Sequence, residues 1–271
     1  MNTRKLLLNN LLDIGGVATL NNFYSPTAKT HKGGLLFTRK LFKSYIEDGL
    51  IEKIEPIGKP ANKVREVFYC LTKKGAAYIG RADEYKYKKY QRSPHNALHE
   101  SMKFDIALSF LRLYPNKKFT FRYDSSLYGV RPDILIRIES QNPKELTRFL
   151  LIEIERKKTI DRVFHEKIIR YEALFKAIEQ KKSHNLTQFL CLFVYTDIWY
   201  DGFLRPQEYT ASPLIATKIS EVNYLTKNLV HRYCNNLSYK RYLFMPFHDF
   251  YRLNDPVWLA QDGNRIQLSI S

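Results

Sequence analysis

Apolar and polar positions follow two different periods along this chain, and the switches between them mark out the elements. RKLLLNNLLDIGG reads as a first helix that stops on a glycine pair. Residues 17–32 are rich in Asn, Ser and Thr and carry no assignable period. GLLFTRKLFKSYIEDGL (34–50) sets Leu36, Leu41, Tyr45 and Ile46 at helical spacing and closes with Gly49. Residues 51–56 and 66–71 alternate as two strands. The segment between them, IGKPANKVR, is a long basic loop, not a tight turn. Thr72 is then placed to cap a short helix, TKKGAAYIG.

From residue 96 the rhythm changes. NALHESMKFDIALSFLRLY (96–114) is an amphipathic helix, followed by three strands at 117–124, 132–139 and 148–156. A helix over about 160–181 leads to an apolar strand at 187–196. Residues 197–213 read as a loop and 214–235 as a helix, and the segment from KRYLFMPFHDF onward adds a strand and a small hairpin. This α-β-β-β-α-β run predicts an α/β (α+β) domain around a mixed sheet. The charged, aromatic stretch RADEYKYKKYQRSPHN (81–96) looks like a linker or an exposed bridging helix. The expected organisation is a domain over 1–82, a linker over 83–95 and a second domain over 96–271.

Charge narrows the class of partner. The 271 residues hold 44 Lys and Arg against 27 Asp and Glu, a net charge of +17. The first 92 residues carry more than half of that excess, with 18 basic against 8 acidic side chains. An imbalance of this size points to a polyanion, with nucleic acid the default and a membrane surface the lesser alternative. No apolar run is long enough to cross a bilayer, and the opening residues read as a helix, not a signal peptide. Cys70, Cys191 and Cys234 are far apart and lie among apolar neighbours, which excludes a zinc ribbon or disulfide framework and fits packing residues in a reducing cytoplasm. Neither a P-loop nor a dinucleotide-binding glycine motif is present.

The phrases YIEDGLIEKIE, where a helix gives way to a strand, and VFYCLTKKGAAYI, where a strand enters a helix, resemble a winged helix-turn-helix over residues 3–82. That resemblance implies that the helix around 35–48 enters the major groove while the wing around 57–65 lies on the backbone or in the minor groove. Arg39, Lys40 and Lys43 would then contact the groove or phosphates, and Lys59, Lys63 and Arg65 would act from the wing.

The chemistry-bearing residues come later. Side chains alternate along a strand, so in RFLLIEIERKK Leu151, Glu153, Glu155 and Lys157 share one face, and Leu150, Ile152 and Ile154 the other. Two carboxylates on an otherwise apolar core strand are costly to bury without a cation, a partner or water. Asp133, opening the neighbouring strand, can lie beside them. Carboxylates on adjacent strands suit one or two Mg²⁺ ions and phosphodiester hydrolysis. The structural alternative is an ion network in which Glu153 and Glu155 pair with Arg137, Arg148 or Lys157.

Pro132-Asp133, followed after 21 residues by Glu155-Arg156-Lys157, resembles the PD-(D/E)xK nuclease signature. The resemblance implies a restriction-endonuclease-like fold, with Asp133 and Glu155 as ligands of Mg²⁺ (or Mn²⁺) and Lys157 as the catalytic lysine. Glu153 is an alternative ligand. Lys167 and Tyr171, one turn apart, resemble a Q-x-x-x-Y element with Lys for Gln, which makes Lys167 a DNA contact or a relocated catalytic lysine. Glu100 stands where an extra acidic ligand is often kept. With His99-Glu100, Arg131-Pro132-Asp133, Glu153-Ile154-Glu155-Arg156 and Lys167…Tyr171 in this order behind a winged helix, the chain resembles the replication-relaxation family of mobile elements. That family implies a role in plasmid or transposon maintenance with DNA as partner, and a homodimer or a place beside partner proteins in a transposition or defence complex is a further expectation. The two functions it leaves open are a metal-dependent DNA endonuclease and a non-catalytic replication or transcription factor that uses the nuclease-like fold for docking.

Overall fold

Two residues beyond the first helix, Thr3–Ile14, stands a strand too short to show a period, Val17–Thr19. In the computed structural model the described residues are 3–14, 17–19, 34–54, 67–85, 94–123, 125–139, 148–156, 161–180, 189–196, 211–226 and 241–268. Those up to Leu108 form one compact unit and those from Ser109 onward a second.

The first unit contains helix α1 (Thr3–Ile14), strand β1 (Val17–Thr19), helix α2 (Gly34–Glu47), strands β2 (Ile51–Ile54) and β3 (Phe68–Leu71) and helix α3 (Lys73–Tyr78). The strands form an antiparallel sheet in the order β1-β3-β2, with Val17 opposite Cys70 and Ile51 opposite Leu71. Leu7, Leu8 and Leu11 of α1 and Phe42 and Tyr45 of α2 are buried. The Phe42 ring meets that of Tyr69 edge-on at 4.9 Å between centroids, which ties α2 to the sheet. Gly49 takes the left-handed conformation (φ 66°) that ends α2 and turns the chain into β2. Thr72 caps α3 as expected, its Oγ1 accepting from Gly75 N at 3.0 Å and donating to Gly49 O at 2.7 Å. At Gly75 the helix backbone comes so close to β2 that an added Cβ would stand 2.1 Å from Leu50 O. Arg81 closes the unit by bridging to Asp13 of α1 at 2.6 Å. The described elements and this sheet follow the order expected for a winged helix. Residues 20–33 and the wing segment 55–66 lie outside the described residues.

Helix α4 (Pro94–Leu113) runs across the division between the units, which falls between Leu108 and Ser109, whereas composition sets the linker at 83–95. The second unit continues with β4 (Lys118–Tyr123), β5 (Ile134–Glu139), β6 (Arg148–Arg156), helix α5 (Asp161–Gln180), β7 (Phe189–Thr196), helix α6 (Ala211–Thr226), β8 (Tyr242–Pro246), a 3-10 turn (Phe247–Arg252) and the small hairpin β9 (Trp258–Leu259) and β10 (Arg265–Ile266). Helix α6 thus begins inside the segment expected to be a loop. The seven strands are ordered β10-β9-β8-β7-β6-β5-β4. β6, β7 and β8 are parallel, and the other pairings are antiparallel. Helices α5 and α6 lie in the two crossovers that parallel neighbours require. β7 and β8 read as unbroken apolar runs, FLCLFVYT and YLFMP, because parallel central strands are buried on both faces.

Leu151, Cys191, Phe193 and Phe244 form a core with Phe164, Ile168, Tyr171 and Phe175 of α5 and Ile215, Ile219 and Val222 of α6. Each fully buried Phe or Ile side chain contributes roughly 2–3 kcal/mol. The protein is thus a mixed α+β fold. Among the described residues no helix is long and apolar enough to cross a membrane.

Candidate functional site

The two glutamates of β6 point into this core, toward α5. Only 4% of Glu153 and 6% of Glu155 is exposed. Lys167, on α5, donates to Glu153 Oε2 at 2.8 Å and to Glu155 Oε1. Tyr171, one turn further along the same helix, donates its hydroxyl to the other Glu153 oxygen, Oε1. Asp133 stands at the foot of β5. The β5–β6 ladder ends at Ile134 opposite Ile152, and the Asp133 carboxylate takes the next amide, accepting from Ile154 N at 2.8 Å. The structure therefore brings Glu153, Glu155, Lys167 and Tyr171 together, with Asp133 against the same strand.

Burial governs the electrostatics. It pushes the Glu153 carboxyl up to about 7, with Lys167 pulling down and Asp133 pushing up. Burial alone would lower the Lys167 ammonium, but the attraction of Glu153 and Glu155 outweighs it, so this lysine stays charged. Burial, then Glu153, raises the Tyr171 hydroxyl well above its ordinary value. Tyr195, opposite Glu155 on β7, is raised by burial and next by Glu155. Glu153 is thus a carboxyl that exchanges a proton near neutrality, the property useful in acid–base chemistry. Here Lys167 and Tyr171 cover both of its oxygens.

The donor set does not fit a resident divalent ion as it stands. The oxygens are of the hard type that Mg²⁺ and Mn²⁺ favour. The space between Glu153 and Glu155, however, holds the Lys167 ammonium, and Tyr171 takes the remaining Glu153 oxygen. Among the described residues no three His, Cys, Asp or Glu side chains form a group that could hold a metal ion.

The other sequence candidates divide as follows. Glu100 lies in the first unit, buried on α4 and paired with Lys103 at 2.9 Å. Lys157 lies outside the described residues, as do Lys59, Lys63 and Arg65 of the wing and Cys234. Cys70 and Cys191 are buried thiols, the packing role expected of them. Of the anticipated ion network, the described residues show Glu153 and Glu155 paired with Lys167 and Arg137 facing Glu139 at 3.3 Å, and the expected partner Lys157 lies outside them. On α2, Arg39 and Lys40 are exposed. Lys43 is exposed too and makes only a loose pair with Glu47 at 3.7 Å. These cations share one face, at positions i, i+1 and i+4, away from the buried Phe42 and Tyr45.

Two buried polar groups escaped the sequence reading. Lys218 of α6 is fully buried, holds both Glu221 oxygens at 2.8 and 3.1 Å, and lies 4.6 Å from the centre of the Phe164 ring. Tyr242 donates to Glu172 at 2.6 Å, and beside it Arg241 stacks 4.8 Å from the Phe175 ring. The available signal was positional. Lys218 falls within the apolar stripe Ile215, Ile219, Val222, and Glu172 within that of α5, where a charged residue must find a partner indoors.

Comparison with known proteins adds a distant likeness. A structure of the restriction endonuclease FokI matches over 93% of this chain with 12% identity and a TM-score of 0.34, and one of FokI bound to DNA over 93% with 14% identity and 0.33. The chain spans less than half of their length, 43% and 44% respectively. At those scores the likeness carries no argument about activity. No family model matches the chain, and no curated protein does.

Proposed function

We propose that this chain is a DNA-binding protein that acts as a replication or transcription factor, its winged helix holding the duplex through α2 and its nuclease-like sheet serving as a scaffold for dimerisation or partner docking. The observation that carries the reading is the row of exposed cations Arg39, Lys40 and Lys43 on the outer face of α2. Buried Phe42 and Tyr45 fix that helix to a three-stranded sheet, so its outward face is held rigidly. The Lys43–Glu47 pair is solvent-exposed and worth well under about 1 kcal/mol, so a phosphate displaces the glutamate at little cost. Each lysine or arginine that meets a phosphate releases counterions, which makes binding tight at low salt and weak at high salt. A cytoplasmic setting and a role in plasmid maintenance, transposition or defence belong to the same proposal.

The test is duplex-DNA binding by fluorescence anisotropy across a salt series, with the wild type beside an Arg39→Ala, Lys40→Ala, Lys43→Ala variant. The logarithmic salt slope should shrink by roughly 0.9 for every phosphate contact removed. An unchanged slope and affinity would remove α2 from the interface.

A second reading, metal-dependent cleavage of DNA, is favoured by one observation: Glu153 and Glu155 share a strand face and Asp133 is bonded to that same strand. It requires Lys167 to leave the two glutamates. The same protein incubated with supercoiled plasmid in Mg²⁺, Mn²⁺ or EDTA separates the readings by whether nicks appear.

A further inference from the structure

Between β4 and β5 the chain makes a turn in which residue and backbone disagree. The two strands pair in one register from Lys118 opposite Glu139 to Tyr123 opposite Ile134, and the same register closes at Leu127 opposite Val130. There Leu127 N donates to Val130 O at 2.8 Å and Val130 N to Leu127 O at 3.0 Å, which leaves Tyr128 and Gly129 as a two-residue loop. Both have positive φ, 48° and 83°, as a type I′ turn requires. Gly129 suits its place. At the first position Asn or Asp fits with least strain, and a bulky aromatic is an outlier. Burial offsets that strain only in part, because Tyr128 is 51% exposed. A residue that contradicts its own backbone, and whose ring is half in water, marks a use outside the chain.

The strands below the turn hold it in place. On one face of β4, Phe119 packs with Phe121 and with Phe110 of α4, ring centroids 6.0 Å apart in each case. The opposite face carries Lys118 and Arg122, and with them Arg137, which stands across from Thr120. Glu139 takes Lys118 at 2.7 Å and Arg137 at 3.3 Å, and Asp133 accepts from Ile154 N, so these two acids already have partners on the sheet. Arg122 and Arg131, on either side of the turn in sequence, are exposed. An exposed aromatic ring between exposed guanidinium groups is the composition of a single-strand binding surface: the ring stacks on a base and the cations meet phosphates.

We infer that this hairpin is a second DNA-contact surface, one for unpaired DNA, with Tyr128 stacking on a base and Arg122 and Arg131 contacting the backbone. In a duplex the base faces are covered by their neighbours, so the ring selects DNA whose bases are open. The inference extends the DNA-binding reading to another surface and another form of DNA than the duplex held by α2, so each can fail without the other.

The experiment measures binding of the full chain to a fluorescein-labelled oligothymidine and to a duplex by fluorescence anisotropy. Tyr128→Asn is the informative variant, because asparagine suits the turn while deleting the ring. It should melt at or above the wild-type temperature, bind oligothymidine about tenfold more weakly and keep its duplex affinity. Tyr128→Phe keeps the ring and should bind as the wild type does. Added to the α2 triple variant, Tyr128→Asn should cost the same factor on oligothymidine, whereas a duplex affinity untouched by the α2 changes sinks the α2 reading alone. Oligothymidine carrying 5-iododeoxyuridine should photocross-link to Tyr128, located by mass spectrometry. A wild type that does not bind oligothymidine overturns the inference. So does a Tyr128→Asn that binds it as tightly as the wild type or melts below it, and so do cross-links confined to other residues.

Discussion

Helices α2 and α5 each offer cations along one turn or more, and they use them in opposite ways. On α2, Arg39, Lys40 and Lys43 are exposed, and Glu47 is only a loose partner of Lys43. On α5, Lys167 points inward and serves two buried glutamates, and on neighbouring α6 Lys218 is wholly enclosed with Glu221. The same residue type is a free electrostatic handle in one place and a structural counter-charge in the other. Net charge does not make the distinction, and burial does. An exposed lysine gains little from a nearby acid and can exchange it for a phosphate, whereas a buried one that loses its partners leaves uncompensated charge in a low-dielectric interior.

The contrast is open to direct attack. The largest effect on stability is expected from Lys167→Met in metal-free buffer, which strands Glu153 and Glu155. It should cost roughly 3 kcal/mol by urea unfolding, the low end of the range for a broken buried pair because the lysine side chain is a quarter exposed. The α2 triple variant should do the reverse. It should stay within about 0.5 kcal/mol of the wild type by the same measurement while losing DNA affinity. A destabilised α2 variant, or an unaffected Lys167→Met, would erase the distinction.

Glu153→Gln probes the same site through pH. Because burial holds this carboxyl up at about 7 against 4.5 in the unfolded chain, the folded state keeps a proton that the unfolded state gives up. The stability it contributes is full below the unfolded value and is lost as pH rises through the folded one. Wild-type stability should therefore decline between about pH 4.5 and 7 relative to Glu153→Gln, which removes that slope. Thermal melts across the window would show it. A milder change at the acid site is Tyr171→Phe, which deletes one donor to Glu153 and should cost about 1 kcal/mol in the same melts.

Much of this architecture is legible in the chain. The alternation of RFLLIEIER correctly puts Leu151, Glu153 and Glu155 on one face, since strand period is local geometry. The Thr72 cap and the Gly49 turn are equally local. Strand β1 was hidden because three residues hold no period, and it exists only through its ladder with β3. Lys167 enters the sequence reading only through its resemblance to a Q-x-x-x-Y element, and its pairing with the two glutamates is not local geometry. Lys167 is 14 and 12 residues from Glu153 and Glu155, and which cation reaches them depends on how α5 is rotated over the sheet. The apolar stripe Phe164, Ile168, Tyr171 contained the clue, because Lys167 lies along it and so must face the core.

The central claim is that the exposed cations of α2 bind DNA while the acid site stays closed by its own lysine. Incubation of the wild-type protein with supercoiled plasmid, in EDTA and in Mg²⁺, tests both halves on one gel. The account predicts retarded plasmid to the same extent in either buffer, with no nicked or linear product. Mg²⁺-dependent nicking that disappears in Glu155→Ala would contradict it and establish the site as an open metal-dependent nuclease.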